Sequence, residues 1–431
     1  MNRFMDVLEN VLMPLADKLN NNRYLTALRD GFMVALPLII FGSIFVVIAN
    51  LPFIDRLMSE ATYAQYQELI GSASSATLAI MATFVIVGIG YKLTESYGGE
   101  ALFGGVTALA AFLILIPQHV DETTGVIPVG VLGAQGMFVG IITAFVSAEL
   151  YRFFVNKNWQ IKMPSGVPDA VSRSFSSLIP ITMTLSFFLL VRIAFSFTPF
   201  ETVQNFVYTS VQAPLTALGS GLTATIIAVL LTQIFWFFGL HGQIIINSVL
   251  DPIWFTLAGE NLDAYNAGNE LPHIVSKPFM ESFIVGIGGS GMTLAVIIAI
   301  FLIGRSRQLK QLGKIGGPPG LFNVNEPIIF GLPIIMNPLV IIPWLFAPVV
   351  VTIFTYFTMA AGLVPAPYGA IVPWTMPPII SGALATNSWQ GAVLQVVNMA
   401  IVFVIWWPFL KVMDKQYYEN EQSEGKPTKT A

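Results

Sequence analysis

Long apolar stretches recur along the whole chain and are separated by short segments that are polar or rich in glycine and proline. Three of these stretches, residues 31–53, 71–91 and 214–240, contain no charged residue. Because a helix of about 20 apolar residues crosses the hydrocarbon core of a bilayer, the pattern predicts an all-α polytopic membrane protein.

The apolar pattern predicts about ten transmembrane helices, near residues 31–53, 73–91, 102–117, 129–149, 178–199, 217–240, 243–259, 278–303, 338–362 and 390–410. Lys and Arg orient these helices, because cytoplasmic loops are enriched in both residues. Basic residues cluster in four segments, namely 1–30, 150–177, 304–314 and the tail from 411. The loops 118–128, 200–216 and 363–388 contain none. This alternation predicts that both termini are cytoplasmic.

The first 30 residues are amphipathic rather than uniformly apolar. Phe4, Leu8, Leu12 and Leu15 fall near one helical face, and Pro14 is expected to break or kink the helix. We expect an interfacial helix that lies on the membrane, with a soluble cap helix as the alternative. We expect no cleavable signal peptide, because the first apolar stretch starts only at residue 31 and is too long for one.

Glycine and proline interrupt the apolar stretches of the second half of the chain. The interruptions are "GIGGSGMT" at 286–293, "GGPPGLFNVNEPIIFGLPIIMNP" at 316–338 and "PAPYGAIVPWTMPPIISGALATN" at 365–387. In hydrocarbon, a broken helix persists only where protein or water satisfies its free backbone groups. Segment 278–303 therefore either crosses the membrane or turns at its glycines as a re-entrant hairpin, and ordinary packing kinks are the alternative explanation of the interruptions. Interrupted helices near the bilayer midplane are typical of transporter binding sites.

This asymmetry predicts a division of labour along the chain. The N-terminal interfacial segment, 1–30, precedes a scaffold half at 31–205. A working half at 206–415 and a tail at 416–431 complete the expected organisation.

Composition narrows the chemistry that the protein can carry. Of 431 residues, 55% are hydrophobic and only 10% are charged; mean hydropathy is +0.73 and net charge is −4. The chain contains no cysteine, which excludes disulfides, a thiolate nucleophile and a cysteine metal site. No Walker loop, dinucleotide fingerprint or zinc motif is present. We therefore expect no cofactor, no metal and no nucleic-acid partner.

The stretch "FNVNEPIIFG" at 322–331 places a carboxylate, Glu326, directly before a proline and an apolar run. The residue before a proline is pushed out of the helical region, and proline is favoured at the first helical position. Glu326 is therefore expected to lie at the cap position of a short helix that starts at Pro327. Capping this helix would be a purely structural role, and it is the alternative to a role in ligand binding. Asn323 and Asn325 add more donors and acceptors than a cap needs.

Other candidate binding residues lie near the remaining interruptions. His241, in "WFFGLHGQ" at 236–243, is either a hydrogen-bond partner in a polar cavity or a satisfied residue at a helix end. Trp236 and Trp374 offer aromatic faces, which beside carboxylates and amides suit the apolar face of a sugar. Lys277 either donates to a ligand hydroxyl or lies at the membrane interface.

Five stretches together resemble a known family. They are "NRYLTALRDGFMVALPLIIFGSIF", "VPDAVSRSFSSLIP", "WFFGLHG", "FNVNEPIIFG" and "VPWTMPPIISG". The chain, from about residue 3 to 415, resembles the membrane-spanning IIC component of the bacterial phosphoenolpyruvate:sugar phosphotransferase system. Its closest group is the lactose/cellobiose/diacetylchitobiose class.

This resemblance implies a homodimer with ten spans per subunit. Its N-terminal half would be the dimerisation domain, and its C-terminal half would be the substrate-transport domain, with two re-entrant hairpins. It also implies uptake of a disaccharide across the bacterial cytoplasmic membrane. Glu326 and His241 would bind hydroxyls near the phosphorylated 6-position. Asn325, Lys277 and the backbone of Gly288 and Gly289 would add hydrogen bonds. Trp236 and Trp374 would stack on the sugar.

The resemblance also assigns the phosphoryl chemistry to other proteins. The donor would be a phosphocysteine on a separate IIB protein, which receives its phosphoryl group from IIA. A chain without cysteine cannot hold that intermediate itself. Two other classes stay open from the residues alone: a proton-coupled symporter in which Glu326 cycles protons, and a membrane sensor that binds sugar without transporting it.

Overall fold

A computed structural model of the protein describes residues 14, 18–19, 21–50, 58–118, 127–164, 166–332, 334–337 and 339–424. Every regular element among them is helical, which confirms the all-α prediction. Most of the expected interfacial segment before residue 21, and the end of the expected tail after residue 424, lie outside the described residues.

The chain divides into two compact units. The N-terminal unit comprises Lys18–Leu218 and Asn247–Glu260. The C-terminal unit comprises Gly219–Ile246 and Asn261–Ala431, together with Met1–Asp17. All the residues singled out above as candidate ligands belong to the C-terminal unit.

The N-terminal unit consists mainly of six helices: α1 Arg23–Ala49, α2 Glu60–Ser75, α3 Met81–Ser96, α4 Ala101–Leu115, α5 Met137–Asn156 and α6 Asp169–Phe195. The side chain of Asn22 begins α1 by accepting hydrogen bonds from the Tyr24 and Leu25 amides, which satisfies two of the free donors at a helix N-terminus. Residues 23–30, ahead of the first uncharged stretch, already belong to α1.

Glycines bring the backbones of α1, α3 and α4 into direct contact. A Cβ atom added at Gly88 would lie 2.5 Å from the Gly31 carbonyl oxygen, and one at Gly90 would lie 2.9 Å from that of Gly104. Small residues at helix interfaces allow such close approach in membranes, where packing rather than hydrophobic burial holds helices together. These three helices therefore form a tightly packed core of the N-terminal unit.

The C-terminal unit has shorter and more interrupted helices. They are α7 Leu222–Phe237, α8 Gly242–Asn266, α9 Thr293–Ile303, α10 Arg307–Leu321, α11 Glu326–Gly331, α12 Ile341–Ala360, α13 Ile380–Thr386 and α14 Trp389–Glu424. Residues 247–260 of α8 are grouped with the N-terminal unit. A helical turn at Lys277–Phe279 and a π-helical turn at Met280–Val285 precede α9.

The three predicted interruptions are present. Residues 286–292 form turns between the π-helical segment and α9, and residues 362–379 contain no helix. The middle interruption starts later than expected, because α10 continues through Pro318 and Pro319 to Leu321. Proline's fixed φ near −65° is compatible with a helix. A Cβ added at Gly320 would lie only 2.7 Å from the Ile297 side chain, so close packing on α9 holds this last turn in place.

Length and hydropathy identify six helical stretches that could cross a membrane: Arg23–Ala49, Glu60–Ser96, Ala134–Asn156, Asp169–Phe195, Ile341–Ala360 and Trp389–Ser423. A seventh results if the bent pair Val203–Gly219 and Leu222–Phe237, which meet at 72°, is one span. The described residues thus account for six or seven of the ten predicted crossings.

Candidate functional site

One amide side chain, that of Asn323, joins all three interruptions of the C-terminal unit. Its Oδ1 accepts a hydrogen bond of 2.7 Å from the Gly288 amide. Its Nδ2 donates to the carbonyl oxygens of Trp374, at 2.6 Å, and Met376, at 3.0 Å. Asn323 is 2% exposed and has a positive φ of 65°, a conformation that asparagine tolerates better than most residues. Three irregular segments therefore share one buried anchor.

The turn at residues 286–292, which Asn323 binds, requires glycine at positions 288 and 289. Gly288 and Gly289 have φ values of 92° and 80°, which residues with a Cβ rarely adopt. A Cβ at Gly289 would also lie 2.6 Å from the Asn323 carbonyl oxygen and 2.8 Å from the Asn325 side-chain carbon. The Asn325 amide donates to the Ser290 carbonyl at 2.5 Å. The turn thus packs directly against Asn323 and Asn325.

Glu326 lies one position further into its helix than predicted. Helix α11 starts at Glu326 itself, and Asn325 occupies the cap position without a capping hydrogen bond from its side chain. Proline lacks an amide hydrogen and is therefore also tolerated at the second helical position, where that donor has no helical partner. The Glu326 carboxylate is consequently not used as a side-chain cap. Its Oε2 is buried and has no hydrogen-bond partner among the described residues.

His241 and Trp236 lie together where α7 ends and α8 begins. Their rings are 4.3 Å apart, and the His241 Nδ1 accepts a 3.3 Å hydrogen bond from the Ile244 amide at the start of α8. A Cβ at Gly242 would lie 2.0 Å from the Thr232 carbonyl oxygen, so glycine is needed beside the histidine. The Glu326 carboxylate is near enough to act electrostatically on the His241 imidazole. These two predicted residues therefore lie within electrostatic range of each other.

The indole N–H of Trp236 is an unsatisfied hydrogen-bond donor among the described residues. Trp236 is 4% exposed, and its Nε1 is buried without a hydrogen-bond partner. Buried polar groups are hydrogen-bonded in the great majority of native structures, so an exception indicates an unseen water, ion or ligand. The other aromatic candidate, Trp374, is 43% exposed and contacts Asn323 through its backbone.

Lys277 is buried and paired rather than interfacial. Its Nζ lies 2.7 Å from Glu281 Oε1, and the two side chains are 7% and 10% exposed. Burying a lone charge is costly, whereas a close pair retains both charges. Lys277 is therefore not an exposed interfacial residue, and its donation to a ligand hydroxyl stays a prediction.

Sequence reasoning missed Gln395, which is fully buried within α14. Its Oε1 accepts from the amides of Ile379 and Gly382, at 2.6 and 2.8 Å. Its Nε2 donates to the Ser282 carbonyl at 2.5 Å and to the Ser381 hydroxyl at 2.8 Å. A glutamine within an apolar stretch was the available signal. Gln395 thus joins the π-helical turn Met280–Val285 to the third interruption.

The chemistry of this cluster suits a neutral ligand with many hydroxyl groups. Within the described ranges, a carboxylate oxygen and an indole N–H have no hydrogen-bond partner. An imidazole lies next to the indole ring, and Trp374 is partly exposed. Hydroxyls both donate and accept hydrogen bonds, so they match this mixture of groups. The described residues contain no group of three or more acidic or histidine side chains able to hold a metal ion.

Comparison with known proteins decides the family. The model of the family described as "Phosphotransferase system, EIIC" matches residues 29–348. The chain belongs to the EIIC family. The protein is therefore the sugar permease component of a phosphotransferase system, as the resemblance of its motifs implied.

Relatives of the EIIC protein match over nearly their whole length. It is 57% identical to the oligo-beta-mannoside-specific EIIC component of Bacillus subtilis (strain 168), covering 96% of this chain and 95% of that protein. It is 42% identical to the cellobiose-specific EIIC component of Geobacillus stearothermophilus, with 98% and 97% coverage. The crystal structure of the transporter ChbC, the IIC component from the N,N'-diacetylchitobiose-specific phosphotransferase system, superimposes with a TM-score of 0.93 at 40% identity. That match covers 98% of this chain and 100% of the other.

Proposed function

We propose that this EIIC permease binds a β-linked disaccharide of the cellobiose or diacetylchitobiose type in the cluster around Glu326. It carries the sugar across the bacterial cytoplasmic membrane and presents the 6-hydroxyl for phosphorylation. The observation that carries this proposal is the Glu326 Oε2 atom, buried without a partner at the junction of three interrupted helices. An unpaired buried acceptor is costly, and a sugar hydroxyl would satisfy it.

Each predicted ligand has a role in this proposal. Glu326 and His241 bind hydroxyls at the reactive end of the sugar, and the Trp236 indole N–H donates a further hydrogen bond. Trp374 stacks on an apolar sugar face. Asn323, Asn325, Lys277 and the backbone of Gly288 and Gly289 complete the polar lining.

We also propose the membrane arrangement. Adding Ala101–Leu115, Gly242–Asn266 and the segment 277–303 to the seven stretches identified by hydropathy gives ten crossings. The interrupted segments enter the membrane without crossing it as straight helices. Both termini are cytoplasmic. The N-terminal domain holds two subunits together, and the transport domain moves past it as a rigid body.

The proposed partner is a separate phosphorylated IIB protein, supplied by IIA, on the cytoplasmic face. This chain has no cysteine to carry the phosphoryl group.

The relatives favour β-linked substrates, since the three described above are named for an oligo-beta-mannoside, cellobiose and diacetylchitobiose. Competition of labelled cellobiose with a panel of disaccharides on the purified protein tests this. We expect cellobiose, mannobiose or diacetylchitobiose to compete at least about tenfold better than maltose. Equal competition by the α-linked sugar would contradict the proposal.

Coupling to phosphorylation is tested in vesicles that contain the permease. We expect labelled sugar to accumulate as a phosphate ester only when phosphorylated IIB is supplied, and to be unaffected by an uncoupler. Accumulation of unmodified sugar that collapses with the uncoupler would instead favour the proton-coupled symporter.

A further inference from the structure

The exposed face of α10 is strongly basic. Residues 304–325 contain four basic residues and no acidic one. Arg307, Lys310 and Lys314 are all exposed, and their i, i+3 and i+7 spacing places them along one side of the helix. We call these three residues the basic face of α10.

The opposite side of α10 is held against the rest of the C-terminal unit. Leu309, Gly313 and Gly316 are buried. A Cβ at Gly316 would lie 2.5 Å from the Ile328 side chain of α11, and one at Gly313 would lie 3.1 Å from Ile300 of α9. The apolar side of the helix is therefore occupied by its own protein, and the orientation of the basic face is fixed.

Two acidic residues of α14 fix the start of α10 without neutralising its lysines. Asp414 Oδ1 accepts from the amides of Arg305 and Ser306, at 2.8 and 2.9 Å. The two carboxylate oxygens of Glu421 accept from the amides of Arg307 and Gln308, at 3.0 and 2.9 Å. These carboxylates thus bind backbone amides rather than basic side chains.

Lys310 and Lys314 form no ion pair within the described part of the chain, whereas many other cations there do. Arg29, Lys92, Arg152, Lys277 and Lys415 each lie within 4.0 Å of an acidic side chain. These two exposed lysines, which form no ion pair within the described residues, are therefore available to an external anionic partner.

The location of α10 indicates which partner that is. Only residues 322–325 separate its end from Glu326. A phosphoryl group carries about −1.5 to −2 charges at pH 7. When a donor protein brings this group to a sugar that the Glu326 carboxylate holds, the two negative charges repel each other. Cations beside that path offset the repulsion and raise the association rate.

We propose that the basic face of α10 is the docking surface for the phosphorylated IIB protein. This proposal rests on the proposed function, because it needs IIB as the phosphoryl donor. It also places α10 and the C-terminal part of α14 on the cytoplasmic side together, since Asp414 and Glu421 bind the start of α10.

The test is the double charge reversal Lys310→Glu and Lys314→Glu in the full-length permease. The donor is the phosphorylated IIB protein of the Bacillus subtilis oligo-beta-mannoside system, and sugar phosphorylation is measured in nanodiscs of neutral lipid. We expect the KM for phosphorylated IIB to rise about tenfold at low salt, by less at high salt, while the Kd for cellobiose stays unchanged. The neutral pair Lys310→Gln and Lys314→Gln should give a smaller rise in the same direction.

The matched control reverses Lys162 and Arg173, two exposed basic residues of the other unit, and should leave this KM unchanged. An unchanged KM in the α10 variant, or an equal rise in the control, would overturn the docking surface. A rise seen only in nanodiscs with anionic lipid would assign the basic face to lipid headgroups and also overturn it. If wild-type protein phosphorylates no sugar with any IIB, the proposed function fails instead.

Discussion

At the scale of single residues, the polar atoms of the site divide into those that have a hydrogen-bond partner and those that have none among the described residues. Asn323 uses its amide fully on the backbone of two other segments. Glu326 Oε2 and Trp236 Nε1 are buried with no partner in the described chain. We infer that Asn323 holds the segments of the site together, whereas Glu326 and Trp236 form hydrogen bonds with ligand hydroxyls.

Replacing Trp236 by phenylalanine tests this difference. The change removes an indole N–H that has no partner in the described protein, so it should cost little stability but weaken cellobiose binding about threefold to tenfold, the value of one neutral hydrogen bond. The control is Trp344→Phe, which removes a 2.8 Å hydrogen bond to the Gln233 carbonyl. That variant should lower the unfolding free energy by about 1 kcal/mol more than the first. The opposite ranking in thermal unfolding would contradict the assignment.

Replacing Asn323 by leucine should have a structural effect first. It leaves one amide and two carbonyl groups without their partner, at about 1–3 kcal/mol each, and sets leucine at a φ of 65°. We expect a loss of roughly 3 kcal/mol or more in stability, measured by thermal unfolding in detergent, together with loss of sugar binding. Asn387→Leu is the matched control, because Asn387 has a φ of 47° but donates only one side-chain bond, to Tyr265. Equal losses in both variants would mean that backbone strain, rather than the junction, is responsible.

At the scale of elements, the interruptions matter because they put backbone groups and short helix ends where continuous helices would present side chains only. The first depends on the glycine turn at 286–292, which packs against the Asn323–Glu326 stretch. Its shape therefore determines the position of Glu326.

Gly289→Ala tests the turn directly. The new Cβ would lie 2.6 Å from the Asn323 carbonyl oxygen at a φ of 80°, so we expect sugar affinity to fall at least about tenfold as the two segments separate. In Gly71→Ala, within α2, the new Cβ meets no atom within 4 Å beyond its chain neighbours. This control should keep its affinity and gain up to about 1 kcal/mol in stability from the better helix former. Wild-type affinity in Gly289→Ala would refute the role of the turn.

The interruptions could be predicted from sequence because glycine and proline act on their own backbone. The composition around residues 286–293 was enough to locate the first one. The connections between interruptions could not be predicted in the same way. Asn323 bonds carbonyls 51 and 53 residues away, and Gln395 bonds one 113 residues away. The local sequence around an asparagine or glutamine does not show which distant carbonyl group its side chain binds. The helix start at Glu326 was missed by one residue because proline is tolerated at both of the first two positions.

At the scale of the whole molecule, the interrupted segments occur in one compact unit, while the other is built on close contacts between helix backbones. This contrast is what a rigid scaffold and a substrate-carrying domain require. The proposed membrane orientation can be tested by labelling single introduced cysteines, because the sequence contains no native cysteine.

Single cysteines at Gln311 and Asn269, both exposed positions, should report opposite sides of the membrane. With intact cells and an impermeant maleimide, we expect Asn269→Cys to react and Gln311→Cys to react only after the cells are opened. Labelling of both positions from outside would contradict a cytoplasmic location of α10 and the ten-span arrangement.

The most direct test of the account is equilibrium binding of cellobiose by the Glu326→Gln variant. Glutamine keeps the volume of the side chain but removes its charge, and a hydrogen bond to a charged group contributes about 1.5–3 kcal/mol. We predict at least about a tenfold rise in Kd with an unchanged unfolding temperature, and no change for the exposed control Glu419→Gln. A folded Glu326→Gln protein that binds cellobiose with wild-type affinity would contradict the claim that this carboxylate holds the sugar.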